Sequence, residues 1–209
     1  MRVLLISEGT HEGQRAEEKP QALQSLVERV LPDWATFEWL DVHDLPRGNP
    51  FPGHGGGHFK LALKALKHAT DNEFDALVVV TDADCRHERI AQFGQAQESD
   101  RFTMPRALGI AVESFDAWIL ADHQALGEVL GPSIPLRPSP EELTGGKGSR
   151  RHPKQVCRRL IEDHGWEGSQ AHFYEDACRR MNLDTVASRC LRGFAPFFQR
   201  LRKLVPGQG

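Results

Sequence analysis

The apolar positions of the chain switch repeatedly between runs that suit strands and spacings that suit helices. Residues 2–7 are an apolar run closed by the turn Glu8-Gly9, which predicts a buried first strand. Ala22, Leu23, Leu26, Val27, Val30 and Leu31 then recur at helical spacing within 14–31, and Pro32 ends that helix. Residues 36–42 alternate as a second strand, 44–57 form a Gly/Pro/His loop, and 59–69 carry Leu61, Leu63, Ala65 and Leu66 as a helix. Residues 76–81 (Ala-Leu-Val-Val-Val-Thr) are apolar on both faces, as a central parallel strand must be, and end at Asp82-Ala83-Asp84. A helix over 87–97, a strand over 107–112 ending at Glu113, and a helix over 115–121 with Ser114 as its cap complete the alternation. Trp34, Trp39 and the 115–120 apolar residues, Trp118 among them, are expected to pack.

This order predicts an α/β fold: a mainly parallel four-stranded, doubly wound sheet with helices on both faces over residues 1–130. Past Leu130 the texture changes to a Gly/Pro connector, a Gly/Lys/Arg loop over 144–151, and short helices near 153–163, 170–181, 184–190 and 194–204. Residues 131–209 are therefore expected to be a basic helical extension packed on the sheet domain, too short for a large core of its own.

Charge divides along the same line. Residues 1–144 hold 13 Lys and Arg against 23 Asp and Glu, whereas 145–209 hold 13 against 6. Such a split suits a protein that holds cations at one end and a polyanion at the other, although solvated helix faces produce it too. No run approaches the roughly 20 apolar residues of a membrane span, and the apolar start is too short for a signal peptide. The four cysteines, Cys85, Cys157, Cys178 and Cys190, show no paired spacing. They read as reduced thiols of a cytoplasmic protein.

Acids stand where the strands end: Glu8 after the first, Asp82 and Asp84 after the third, Glu113 after the fourth, with Glu12 four residues beyond Glu8. Parallel neighbours lie about 4.8 Å apart, so carboxylates at their carboxyl ends can converge on one cation. Clustered carboxylates repel unless neutralised, and an all-oxygen donor set favours Mg2+ or Mn2+. The chemistry that follows is phosphoryl transfer. Ordinary turn and cap acids are the competing account.

Glu8-Gly9 after a first hydrophobic strand and Asp82-Ala83-Asp84 after a later one resemble the Toprim domain of topoisomerases, primases and nucleases. The spacing Glu8-x-x-x-Glu12 resembles its two-metal nuclease branch, the overcoming-lysogenization-defect family. Residues 107–122 and His152-Pro153-Lys154 are similar to a bacterial Toprim-like family of unknown function. The resemblance covers roughly residues 1–125. It implies a Toprim-like, Rossmann-like sheet and a Mg2+-dependent (or Mn2+-dependent) nuclease acting on DNA more readily than RNA. Asp82 would hold the principal ion, Glu12 and Asp84 would be ligands, Glu113 a further acid, and Glu8 a ligand or general acid/base. A separately encoded ATPase partner, as in bacterial defence systems, is also implied.

Lys147, Arg150, Arg151 and Lys154 form one basic segment able to bind nucleic-acid phosphates, with Lys154 able to place a cation near the reacting phosphate. Gly145 to Ser149 is not a P-loop, because Gly148 stands where Ser or Thr is required and the upstream glycine is missing. His11 is placed to act on a phosphate or water, and His54 to His58 read as a loop before a helix, with a ligand or a substrate-contacting loop as the alternative. Asp116 and Asp122 are candidate additional acids of the site, though such residues are more often surface or cap residues. A topoisomerase is disfavoured because the only tyrosine, Tyr174, lies in the tail. Two other readings stay open: a non-catalytic assembly subunit that needs a partner, and a phosphoryl-transfer enzyme for small phosphates.

Overall fold

A computed structural model describes residues 1–8, 21–47, 57–84, 86–132, 134–136, 139–143 and 148–205. Its centre is a four-stranded parallel sheet of β1 (Arg2–Ser7), β2 (Thr36–Asp41), β3 (Ala76–Asp82) and β4 (Arg106–Ala111), in the order β2-β1-β3-β4. Helices α1 (Gln21–Glu28), α2 (Gly57–Asp71) and α3 (His87–Gln97) make the crossovers. The fold is α/β with a helical C-terminal region, as the alternation of strand and helix patterns predicts.

The pleat sends alternate strand residues into two cores. Leu4, Ile6, Leu77, Val79, Leu108 and Ile110 pack under Leu63 and Leu66 of α2 and Phe93 of α3. Val3, Leu5, Val78, Val80, Ala107 and Ala111 face the other way, onto Leu23, Leu26 and Val27 of α1 and onto the C-terminal helices. Those helices are α4 (Asp116–Ile119), α5 (His123–Leu130), α6 (Pro153–Asp163), α7 (Gln170–Arg180), α8 (Leu183–Arg189) and α9 (Phe194–Arg202). Phe173, Tyr174, Phe194 and Phe197 are fully buried in this second core around Trp118, whose ring stacks on Phe197 at 5.4 Å. The C-terminal region thus shares one core with the sheet.

Two close fits seat α9. Gly109 lies under Phe197: a Cβ there would fall 2.6 Å from Phe197 Cδ2. At the start of the helix, the buried carboxylate of Glu141 accepts the backbone N–H groups of Arg192 and Gly193, both at 2.8 Å. Glu141 therefore does for α9 what an N-cap side chain does, but from a distant segment.

Ser114 and Trp34 depart from expectation, while Asp122 is the cap its sequence reading allows. Ser114 does not cap α4; Phe115 is its N-cap, without a side-chain bond, and Ser114 Oγ is buried with no partner among the described residues. The backbone carbonyls of Ser114 and Phe115 instead receive the first helical N–H groups, those of Ala117 and Trp118. Asp122 is a cap, accepting from Gln124 and Ala125 and so starting α5, a helix the apolar pattern did not announce. Trp34 is 60% exposed rather than packed, while Trp39 lies against the core and donates to Ser7 Oγ at 3.2 Å. Of the helix expected over 14–31, residues up to 20 lie outside the described ones. Among the described residues, no helix is long and apolar enough to cross a membrane.

Candidate functional site

The strand order 2-1-3-4 places a topological switch point between β1 and β3: from β1 the chain first moves outward to β2, then crosses back to β3 and on to β4. In open parallel sheets the crevice at the carboxyl ends of such a strand pair is where ligands bind. Here β1 ends beside Glu8 and β3 ends in Asp82. The Glu8 N–H donates to the Val80 carbonyl at 3.2 Å, so the two strand ends are tied together by backbone.

Asp82 is the centre of the cluster. Its Oδ1 accepts the Phe115 N–H at 3.0 Å, and the following Ala83 N–H bonds the Ala111 carbonyl at 2.8 Å. Burial, then the facing charge of Asp116, pushes the Asp82 carboxyl well above the ordinary aspartate range. Glu8 and Asp84 push it the same way, while the Phe115 N–H opposes them. Glu8 is half-buried, and its Oε2 is buried with no hydrogen-bond partner among the described residues.

Asp84 sits in the left-handed region at φ 49°, a conformation that Asp tolerates better than most residues in a tight turn. That turn brings its carboxylate onto Arg89, whose Nη1 lies 3.2 Å from Oδ2 and also donates to the Asp82 carbonyl at 3.0 Å. His58, in the first turn of α2, lies within the field of Asp84 and Arg89. Burial, reinforced by Arg89, lowers its pKa and favours the neutral imidazole.

The structure therefore brings together Glu8, Asp82 and Asp84 of the predicted acids. Glu113 is buried two residues past the end of β4, and the third strong neighbour of Asp82 is Asp116 instead. Glu12, His11, His54, Lys147 and Cys85 lie outside the described residues. Arg150 and Arg151 are exposed on the turn before α6, whose N-cap is His152: its Nδ1 accepts the Lys154 N–H at 3.3 Å. The Lys154 side chain reaches solvent, yet partial desolvation lowers its pKa.

Comparison with protein-family models, with curated proteins and with solved structures returns no match.

Sequence reasoning ranked Asp116 below the other acids, as a surface or cap residue, and the structure buries it. It is 2% exposed, and the hydroxyl of Tyr174, itself buried in α7, donates to its Oδ1. Gln170 Nε2 in turn donates to the Tyr174 oxygen at 2.8 Å. Burial, then the charge of Asp116, pushes the Tyr174 phenol well up, so it stays protonated and donating. A signal was present: Asp116 interrupts the apolar run from Phe115 to Ala121, and an acid buried within such a run needs a partner.

Among the described residues, no three His, Cys, Asp or Glu side chains are grouped to hold a metal ion by themselves. Mg2+, however, keeps several waters and is typically held by one or two carboxylates together with phosphate oxygens. The unpartnered Glu8 Oε2 and the mutual repulsion at Asp82 fit a hard divalent cation entering between β1 and β3.

Proposed function

We propose that the chain is a Mg2+-dependent enzyme of Toprim type that cleaves phosphodiesters in nucleic acid, DNA before RNA. The observation that carries this reading is the junction of β1 and β3 at the switch point, where the Glu8 N–H bonds the Val80 carbonyl, Glu8 Oε2 is buried with no hydrogen-bond partner among the described residues, and Asp82 ends β3 in the field of Asp116, Glu8 and Asp84. Asp122, a structural acid at a helix start, accepts two backbone N–H groups, whereas Asp82 accepts the one from Phe115 and lies in the field of three other carboxyls.

Asp82 and Glu8 would hold the ion, with Asp84 joining them by exchanging Arg89, and with Glu12 as a further ligand. A bound divalent ion supplies charge stabilisation at a phosphate and activation of a water. The chain's own residues do the rest. Arg89 and the Phe115 N–H fix Asp82, Glu8 would either hold the ion or take the proton of the attacking water as the P–O bond to the leaving oxygen breaks, and Lys154 with Lys147, Arg150 and Arg151 would neutralise the phosphate backbone. An ATPase partner and a cytoplasmic setting belong to the same proposal.

The test is cleavage of labelled DNA by the full chain with Mg2+ or Mn2+. Activity that disappears on chelation and in Asp82→Asn and Glu8→Gln supports the reading. Folded protein inert on DNA, RNA and nucleotides with either ion overturns it.

A further inference from the structure

We infer that Asp116 is a further acid of the strand-end site and that Tyr174 is the residue that positions it, so that helix α7 of the basic C-terminal region completes the site; this rests on the metal reading above. Three observations carry it. Asp116 faces Asp82, and the Phe115 N–H that fixes Asp82 belongs to the residue immediately before Asp116, so the two carboxyls are held by one short stretch of backbone. Tyr174 reaches Asp116 from α7, 58 residues later in the chain, and is itself held by Gln170 one turn earlier. Among the described residues Asp116 has no ion pair, although it is almost fully buried.

A plain tie between α4 and α7 does not require that arrangement. The amide oxygen of an Asn would accept the same tyrosine hydroxyl without placing a second negative charge against Asp82. The charge is a liability in the metal-free protein and becomes favourable only when a cation enters. With Oδ1 held by Tyr174, the second oxygen of Asp116 is the one that can meet the ion or a water on it. Ligand carboxylates held in this way by outer hydrogen bonds are a general feature of metal sites, and removing the outer partner costs roughly 10–100-fold in affinity or activity.

Calorimetric titration of Mn2+ into the full chain, alongside melting curves and DNA cleavage, decides the matter. Asp116→Asn keeps the tyrosine's acceptor and is expected to melt at or above wild type while its Mn2+ affinity falls about tenfold or more. Tyr174→Phe is expected to weaken Mn2+ and lower kcat by about tenfold with KM for DNA unchanged. Should Asp116→Asn fail to fold, Tyr174→Phe carries the decision. Mn2+ affinity within about twofold of wild type in both, with binding lost in Asp82→Asn, overturns the inference and leaves the metal site standing. Wild-type protein that takes up no Mn2+ overturns both.

Discussion

The backbone N–H of Phe115 points into the carboxylate of Asp82 at 3.0 Å, across the gap between the end of β3 and the start of α4. That single bond is the stabilising contact acting on an acid that burial and three neighbouring carboxyls otherwise disfavour as an anion.

Replacing Asp82 by Asn should therefore stabilise the metal-free protein. The folded carboxyl titrates above its unfolded value near 3.8, so the folded state holds a proton that the unfolded chain has already released. Stability from this group is complete below that value and is lost as pH rises through the raised one. Asp82→Asn should then melt a few degrees above wild type at neutral pH, since about 1 kcal/mol moves a domain of this size by roughly 2–4 °C. The gap should close as pH falls below the unfolded value. Melting curves in chelator across that range check it, and parallel pH profiles for the two proteins would contradict it.

Gly109 to Ala should loosen α9 from the sheet. The added Cβ meets the ring of Phe197 at 2.6 Å, and that ring is itself stacked on Trp118, so neither aromatic can step aside cheaply. Overpacking of this kind costs about 1–3 kcal/mol, read as a lower urea midpoint with unchanged slope. Phe197→Leu in the same background should recover part of the loss.

The strands were legible because their apolar runs are uninterrupted and their ends are marked by acids: 2–7 and 76–81 name β1 and almost all of β3. Helices α6 to α9 were legible from helical spacing to within two residues. Long-range chemistry was not. Nothing near Glu141 in sequence says that it will cap a helix starting at Phe194, and nothing near Tyr174 names Asp116 as its partner. Glu113 is the first acid after β4 and is buried, yet it is the charge of Asp116, three residues further on, that acts on Asp82.

Glu141 to Ala should destabilise the protein more than an exposed cap would. Burial raises the pKa of this carboxyl while the N–H groups of Arg192, Gly193 and Phe194 lower it, which leaves a net upward shift. Removing the side chain strands buried donors that cost about 1–3 kcal/mol each when unmade. Glu141→Gln keeps one acceptor oxygen and should lose about half as much. Chemical denaturation of the two variants at neutral pH measures the difference, and equal midpoints would show that water satisfies the helix end.

The exposed arginines before α6 should act on nucleic acid through charge alone. Arg150 and Arg151 stand on a turn held by bonds that do not use their side chains, among them His152 N–H to the Ser149 carbonyl at 3.0 Å, Arg151 N–H to Ser149 Oγ at 3.2 Å and Lys154 N–H to His152 Nδ1 at 3.3 Å, so replacing those side chains leaves the turn intact. Each phosphate contact removed should lower the slope of log affinity against log salt by about 0.9, and the double change to Gln by about twice that. Fluorescence anisotropy of a short labelled duplex, titrated from low to moderate salt, reads the slope directly. Binding of random and fixed sequences should weaken equally, because phosphate contacts carry no base information. A slope that stays at the wild-type value would assign both arginines to a solvated helix approach and overturn their place on the polyanion path.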